Sequence, residues 1–206
     1  MRYLAICSLL FIIAAVSGCN RTTSNPSSTA SFTSTIAIAQ DQNADTSADS
    51  SIIESGNFSL SSPEVAEGGI LPKEYTCDGN SSTLLLEWID EPIGTKYFAL
   101  VMYTIPSSEE CHWYWVLDNI PSNVHHLEKN STGIGVLGNN SVNGRTEYAP
   151  PCSKGPGPKL YTYTIYALSA APEFSVPPEQ VTRNALLSAI QDITLARADL
   201  NVYYSR

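Results

Sequence analysis

The sequence predicts an all-β domain in which two antiparallel sheets pack into a sandwich. Four segments alternate apolar and polar side chains with the two-residue period of a strand: 97–105, 112–120, 161–168 and 198–204. Clusters of Gly, Pro, Asn and Ser separate them, including Asp78-Gly79, Asn143-Gly144 and the Gly-Pro-Gly-Pro run at 155–158. Short strands divided by such turns are typical of a two-sheet sandwich.

The segment 112–120 carries much of the aromatic surface, with two of the three tryptophans of the chain. Strict alternation places its side chains on two faces: His112, Tyr114 and Val116 on one, and Trp113, Trp115 and Leu117 on the other. Pro121 ends the strand, because proline cannot continue a central ladder. Such a run is typical of a buried central strand; the alternative is a strand whose inner face opens on a pocket, with His112 and Tyr114 as its polar groups.

One helix is predicted near the carboxyl end, from Thr182 to Asp192. Its apolar residues recur at helical spacing and form one stripe: Leu186, Ala189, Ile190 and Ile193. Pro177 and Pro178 just before it suit an entry turn. We expect the stripe to pack against the sandwich and assign it no function.

Composition and motifs exclude several functions. A formal net charge of -9 argues against nucleic-acid binding, which needs clustered Lys and Arg. The sequence has no phosphate-binding glycine loop, CxxC pair, HExxH or GxSxG, so we predict no cofactor and no catalytic residues. We predict no metal site, because the neighbours Cys111 and His112 point to opposite faces of a strand and the pair His125-His126 is weak evidence alone.

Residues 1–18 have the features of an export signal. Arg2 supplies a positive start, and residues 4–16 are almost entirely apolar but too short for a membrane span. The segment Val16-Ser17-Gly18-Cys19 resembles a bacterial lipobox, in which the cysteine is acylated after cleavage. The alternative is a plain secretory signal that releases the protein. We favour lipidation at Cys19 and hence a protein anchored by lipid in the bacterial cell envelope.

Residues 19–56 are predicted to be the acylated cysteine followed by a disordered tether. Fifteen of residues 20–56 are Ser or Thr, and Phe32 is the only aromatic residue among them. That leaves too little apolar surface to offset the cost of ordering the chain. The folded domain is predicted to span 57–206, a usual size for one domain.

The folded segment carries a series of motifs whose order and spacing resemble those of the phosphatidylethanolamine-binding protein family, particularly its bacterial Raf-kinase-inhibitor-like branch. The resemblance covers residues 58–206. It is carried by these motifs: Ser62-Pro63-Glu64, Tyr75-Thr76-Cys77-Asp78-Gly79, Leu86-Glu87-Trp88, Trp115-Val116-Leu117-Asp118-Asn119-Ile120-Pro121, Tyr148-Ala149-Pro150-Pro151-Cys152 and Tyr161-Thr162-Tyr163-Thr164-Ile165-Tyr166-Ala167-Leu168.

The resemblance implies a sandwich with one small pocket at its edge for phosphate-like or carboxylate-like groups. In the family, two histidines, an Asp-Pro-Asp-x-Pro motif and a Gly/Pro-rich loop form that pocket. This chain departs at each of the first two features: it reads Tyr103-Thr104-Ile105-Pro106 in place of the acidic motif, Tyr114 stands at the first histidine and Lys159 at the second. The Pro-Pro pair usual before the Trp88 strand is replaced by Leu84-Leu85.

The residues present suggest a modified anion pocket. Lys159 can hold a phosphate as a fixed positive charge, and His112 shares a strand face with Tyr114. The predicted ligand-binding set is His112, Tyr114, Tyr148, Pro150, Lys159 and Tyr161. For Tyr148 and Tyr161 the alternative is sheet packing, and for Lys159 it is a solvated loop charge.

Three cysteines remain after cleavage, Cys77, Cys111 and Cys152, and sequence alone leaves all three pairings open. The resemblance places Cys77 and Cys152 on turns near the same pocket and so favours that disulfide. The alternative is three small buried thiols.

Three functions remain to be compared. The leading one is an exported, membrane-tethered, non-catalytic domain that binds a small anionic or phosphorylated molecule. The second is an inhibitor or interaction protein of the cell envelope, with a protease or other hydrolase as partner; a kinase partner is disfavoured outside the cytoplasm. The third is a hydrolase that uses Cys152 or His112.

Overall fold

A computed structural model describes residues 57–106 and 110–206. The predicted signal peptide, lipidation site and tether at 1–56 lie outside the described residues. Within the described residues there are nine strands: β1 Ser59–Ser61, β2 Gly69–Ile70, β3 Leu86–Ile89, β4 Tyr97–Thr104, β5 His112–Pro121, β6 His126–Leu127, β7 Val136–Leu137, β8 Lys159–Leu168 and β9 Thr194–Tyr204. One α-helix, α1, spans Arg183–Ile190, and two single-turn 3₁₀ helices span Lys73–Tyr75 and Pro178–Gln180.

The strands form two sheets, which confirms the predicted fold class. The smaller sheet has the order β1-β3-β6 and the larger the order β2-β9-β8-β4-β5-β7. Neighbouring strands are antiparallel, except that the two-residue β2 runs parallel to β9. The four long strands predicted from alternation are the four central strands of the larger sheet, β9-β8-β4-β5.

Two apolar cores lie on opposite faces of the larger sheet. The inter-sheet core joins residues of the small sheet, such as Trp88 and Leu127, to Phe98 and Tyr163 of the large sheet. The second core places Val101 and other residues of the opposite face under the segment that contains α1. Because both faces of β4 and β8 are covered, these strands read as nearly continuous apolar runs.

The predicted helix is present but ends earlier than the apolar stripe suggested. Thr182 caps it, since its hydroxyl accepts a hydrogen bond from the Ala185 N–H at 3.1 Å. Leu186 and Ile190 are buried against the sheet. Beyond Ile190 the chain turns into β9, and the predicted Asp192 end is outside the helix. In the part of the chain that the structure describes, no helix is long and apolar enough to cross a membrane.

The predicted side-chain alternation along β5 is wrong. Tyr114, Trp115 and Leu117 all pack in the inter-sheet core, whereas Trp113 and Val116 pack in the core beneath α1. The cause is a register shift against β4 between Met102 and Tyr103, where β5 holds one extra residue. Such a bulge rotates the side chains that follow it to the other face.

Candidate functional site

Three adjacent strands bring the predicted site residues to one end of the larger sheet. β8 begins at Lys159, β4 ends at Thr104 and β5 begins at His112. Thr104 is paired with His112, and its hydroxyl donates to the Leu160 carbonyl at 2.5 Å. Lys159 and His112 therefore lie two strands apart, which places their strand axes roughly 10 Å from each other.

A cavity of about 440 Å³ opens beside Lys159; we call it the lysine cavity. Its walls are the end of β4, the beginning of β8 and the loop before β8. Two ammonium groups line it, the half-buried Lys159 and the exposed Lys154. Within 57–106 and 110–206, neither lysine forms an ion pair.

The loop that holds Lys154 has an unusual backbone, with glycine and proline in alternation. Gly155 and Gly157 have φ of +104° and +82°, in the left-handed region that only glycine adopts without strain. Pro156 and Pro158 alternate with them and restrict the remaining freedom of the loop. The two prolines therefore limit the conformations that the loop can adopt.

A disulfide joins Cys77 to Cys152, at the beginning of this loop. It is the pairing favoured by the family resemblance. The Cys77 N–H also donates to the Pro151 carbonyl at 3.0 Å. A disulfide and a hydrogen bond therefore both join the turn after the first 3₁₀ helix to the Gly/Pro loop.

A charged cluster lies beside the disulfide. Arg206 forms an ion pair with Asp78 at 2.6 Å, and the Tyr204 hydroxyl donates to the same carboxylate. The Tyr204 hydrogen bond and then the Arg206 guanidinium hold the pKa of Asp78 below its usual value. Tyr204 is paired with Lys159 across β9 and β8. Arg206 thus neutralises the carboxylate near the cavity, so that carboxylate does not offset the charge of the lysines.

Tyr114 and Tyr161 pack against each other next to the cavity. Their rings meet edge to face with centroids 5.4 Å apart. Tyr161 is fully buried, and burial raises the pKa of its hydroxyl. The structure thus brings these two predicted residues together as packing neighbours. Neither ring lines the lysine cavity.

Tyr148 lies elsewhere, at a second cavity of about 390 Å³ that also contacts Trp115. Its ring packs edge to face on Trp115, with centroids 5.5 Å apart. Its hydroxyl donates to the Tyr75 carbonyl at 3.1 Å. Pro150 is half-buried two residues further on. Of the predicted ligand-binding set, Lys159 is the member that lines the lysine cavity.

Two polar residues of this cavity, Lys154 and Thr104, were not in the predicted ligand-binding set. Lys154 directly precedes Gly155, so its position before the Gly/Pro run was the available signal. Thr104 also had a signal, since it lies in the Tyr103-Thr104-Ile105-Pro106 segment that replaces the acidic pocket motif of the family. Among the described residues, no group of three or more His, Cys, Asp or Glu side chains is arranged to hold a metal ion.

The two packed sheets form a β-sandwich, and a cavity opens at its edge. A family model described as phosphatidylethanolamine-binding protein matches residues 61–205, and the chain belongs to this family. A UPF0098 protein of Aquifex aeolicus is 31% identical over 144 residues, which cover 68% of this chain and 83% of that protein. A UPF0098 protein of Chlamydia muridarum is 30% identical over 153 residues, with coverages of 71% and 98%.

Solved structures agree with this assignment. CT736 of Chlamydia trachomatis, described as a phosphatidylethanolamine-binding protein homologue, has a TM-score of 0.66 at 25% identity and covers 72% of this chain and 97% of its own. YbcL of Escherichia coli, described as a member of the mammalian PEBP family, has a TM-score of 0.64 at 23% identity, with coverages of 72% and 98%. The latter likeness supports the fold alone.

Proposed function

We propose that this protein is an exported, membrane-tethered, non-catalytic domain that binds a small anionic or phosphorylated group in the lysine cavity. The observation that carries the proposal is the convergence of Lys154 and Lys159 on one hollow. Among the described residues neither lysine has an ion-pair partner, in a chain whose formal net charge is -9.

The chemistry of the cavity favours a compact anion. An ammonium group binds phosphate as a point charge with freely rotating donors. Ile105, Pro106 and Leu160 supply an apolar rim, which reduces solvent screening of that charge. The loop has little conformational entropy to lose on binding, because proline and the disulfide already restrict it.

The other predicted ligand-binding residues do not line the lysine cavity. His112 stands across Thr104 from the cavity, and Tyr161 lies two residues after Lys159 on β8. A ligand larger than phosphate would extend from the cavity along this sheet end towards His112 and Tyr114, and Tyr114 packs on the buried Tyr161. The proposal therefore centres on Lys159 and Lys154 and treats His112 and Tyr114 as contacts for a larger ligand.

The disulfide counts against hydrolysis by Cys152, the third candidate function. A cysteine nucleophile acts as the thiolate, and Cys152 is bonded to Cys77. With the disulfide intact, Cys152 has no thiolate to offer. The disulfide also supports export, since such bonds persist in oxidising compartments.

The test is thermal unfolding with inorganic phosphate, phosphoethanolamine or acetate at constant ionic strength. At about 10 mM ligand and a Kd of about 1 mM, the stabilisation is about 1.4 kcal/mol, which raises the Tm by about 3–5 °C. Lys154→Gln and Lys159→Gln should each remove most of this shift. Lys96→Gln changes an exposed lysine outside the cavity and should keep it.

Two outcomes would overturn the proposal. One is the absence of any shift with all three anions, which would favour the alternative of an inhibitor or interaction protein. The other is an equal shift in the wild type and all three lysine variants, which would place the anion elsewhere.

A further inference from the structure

We infer that the cavity beside Trp115 is a second binding site, for a small organic amine with an apolar body. We call it the Trp115 cavity. Its volume of about 390 Å³ falls in the range of small-molecule pockets. It is lined by different residues from the lysine cavity, and the inference does not depend on anion binding there.

The floor of the Trp115 cavity is apolar. Trp115, Leu117 and Leu127 form it, and all three belong to the inter-sheet core. Ile134 and Tyr148 add further apolar surface to the walls. A ring or short alkyl chain placed here would be removed from water at about 25 cal/mol per Å² of apolar surface.

The cavity exists without a ligand because its outer wall is fixed at both ends. At one end, the Asn130 N–H donates to the Thr83 hydroxyl at 2.8 Å, and the Thr83 N–H donates to the Asn130 side-chain oxygen at 3.0 Å. At the other end, Gly135 has φ +69°, and an added Cβ would lie 2.5 Å from the Asp118 carbonyl oxygen. The wall therefore needs little ordering when a ligand binds.

The charge at the rim selects a cation. Glu147 is the one charged residue in the lining. Its Oε1 is 3.9 Å from the Arg145 guanidinium and accepts from the Asn143 amide at 2.9 Å. Within the described residues, its Oε2 has no such contact and can accept from an ammonium group. Lys129, next to the lining, is engaged by Glu74 at 2.8 Å.

The rim also has hydroxyl groups with hydrogen-bonding capacity to spare. Ser131 and Thr132 both line the cavity. In the described part of the chain, neither hydroxyl takes part in a hydrogen bond with another protein group. They can accept the remaining protons of an ammonium group whose apolar body lies on Trp115.

The experiment compares three probes of nearly the same shape but different charge: benzylamine, benzyl alcohol and benzoate at pH 7. Binding is followed by chemical shifts of the backbone amides and tryptophan indoles. We expect benzylamine to bind with a Kd of about 1 mM, as ligands of this size can. Benzyl alcohol should bind about 5–10-fold more weakly, and benzoate should not bind here.

Variants separate the contribution of charge from that of the cavity. Glu147→Gln should weaken benzylamine about 5–10-fold and leave benzyl alcohol unchanged. Ser131→Trp should fill the cavity and abolish binding of both. Glu128→Gln removes an exposed carboxylate outside the lining and is the matched control, expected to bind both probes as the wild type does.

The inference is overturned if benzoate perturbs the same resonances as strongly as benzylamine, or if Ser131→Trp binds benzylamine as the wild type does. Equal benzylamine affinity in the wild type and Glu147→Gln would also overturn it. Inorganic phosphate tests the proposed function separately. Its chemical-shift changes should be confined to residues of the lysine cavity, whether or not benzylamine binds in the Trp115 cavity.

Discussion

Asp118, on β5 of the larger sheet, has a buried carboxyl group. It is 1% exposed and has one hydrogen bond from a side chain, donated by the Asn119 amide at 2.6 Å. Burial raises its pKa from 3.8 to about 6, although the Asn119 hydrogen bond opposes the shift. Because the folded state then holds the proton more tightly than the unfolded state, stability falls as the pH rises from about 4 to about 6.

Asp118→Asn should therefore stabilise the protein at pH 7.5 and lose this advantage at pH 4. The amide carries no charge to desolvate, and the gain should be about 1–2 kcal/mol once solvent screening is allowed for. Urea unfolding at pH 4, 5 and 7.5 measures it, with the exposed Asp192→Asn as the control. The same change in free energy at all three pH values would contradict the assignment of the shift to Asp118.

At the scale of elements, the four long strands and the helix of the described residues were predictable, but the five short strands there and the side-chain faces of β5 were not. The runs of strand-forming residues along β4 and β8 and the apolar stripe of α1 are local properties of the sequence. The bulge beside Tyr114 is not, because it depends on how β5 registers with Met102 and Tyr103 of β4. One extra residue there places Trp113 and Trp115 in opposite cores, whereas strict alternation predicts one face for both.

The Cys77–Cys152 disulfide closes a loop between residues 75 positions apart and anchors the Gly/Pro loop. Replacing both cysteines by serine should lower the free energy of unfolding by about 2–4 kcal/mol, since the unfolded chain gains freedom. It should also weaken the phosphate-induced rise in Tm, because the loop that carries Lys154 loses its anchor.

Arg206→Gln provides a matched control beside the disulfide. It removes the ion pair with Asp78 but keeps the covalent link, and Arg206 is 48% exposed. We expect a much smaller loss of stability than in the double serine variant. The phosphate effect should weaken less than in that variant, because the loop keeps its anchor and only the charge of Asp78 is left unneutralised. If the double serine variant matches the wild type under non-reducing conditions, the disulfide does not support the loop.

For the molecule as a whole, the family and the two-sheet fold could be predicted from motif order, whereas the site could be predicted only in part. Lys159 was found because it aligns with a family histidine. The position of Tyr148 at the Trp115 cavity could not be predicted, since it depends on long-range packing against Trp115. A cavity is defined by the distances between elements, and local sequence carries little information about these.

Export and lipid anchoring are predictions about the whole chain, and they rest on residues 1–56. If Cys19 is acylated, the mature protein should partition with membranes, and Cys19→Ala should move it to the soluble fraction. The folded domain should be unchanged by this substitution, with the Cys77–Cys152 disulfide still formed, because neither cysteine is near the anchor in sequence.

Fractionation of cells, combined with thiol labelling under denaturing conditions, measures location and disulfide together. Deletion of residues 1–18 is the informative comparison. Without export the chain should stay in a reducing compartment, where Cys77 and Cys152 would label as thiols. Wild-type protein in the soluble fraction, or Cys19→Ala still held by membranes, would refute the lipid anchor. An oxidised disulfide in the deletion variant would instead separate disulfide formation from export, and the disulfide would then no longer support an envelope location.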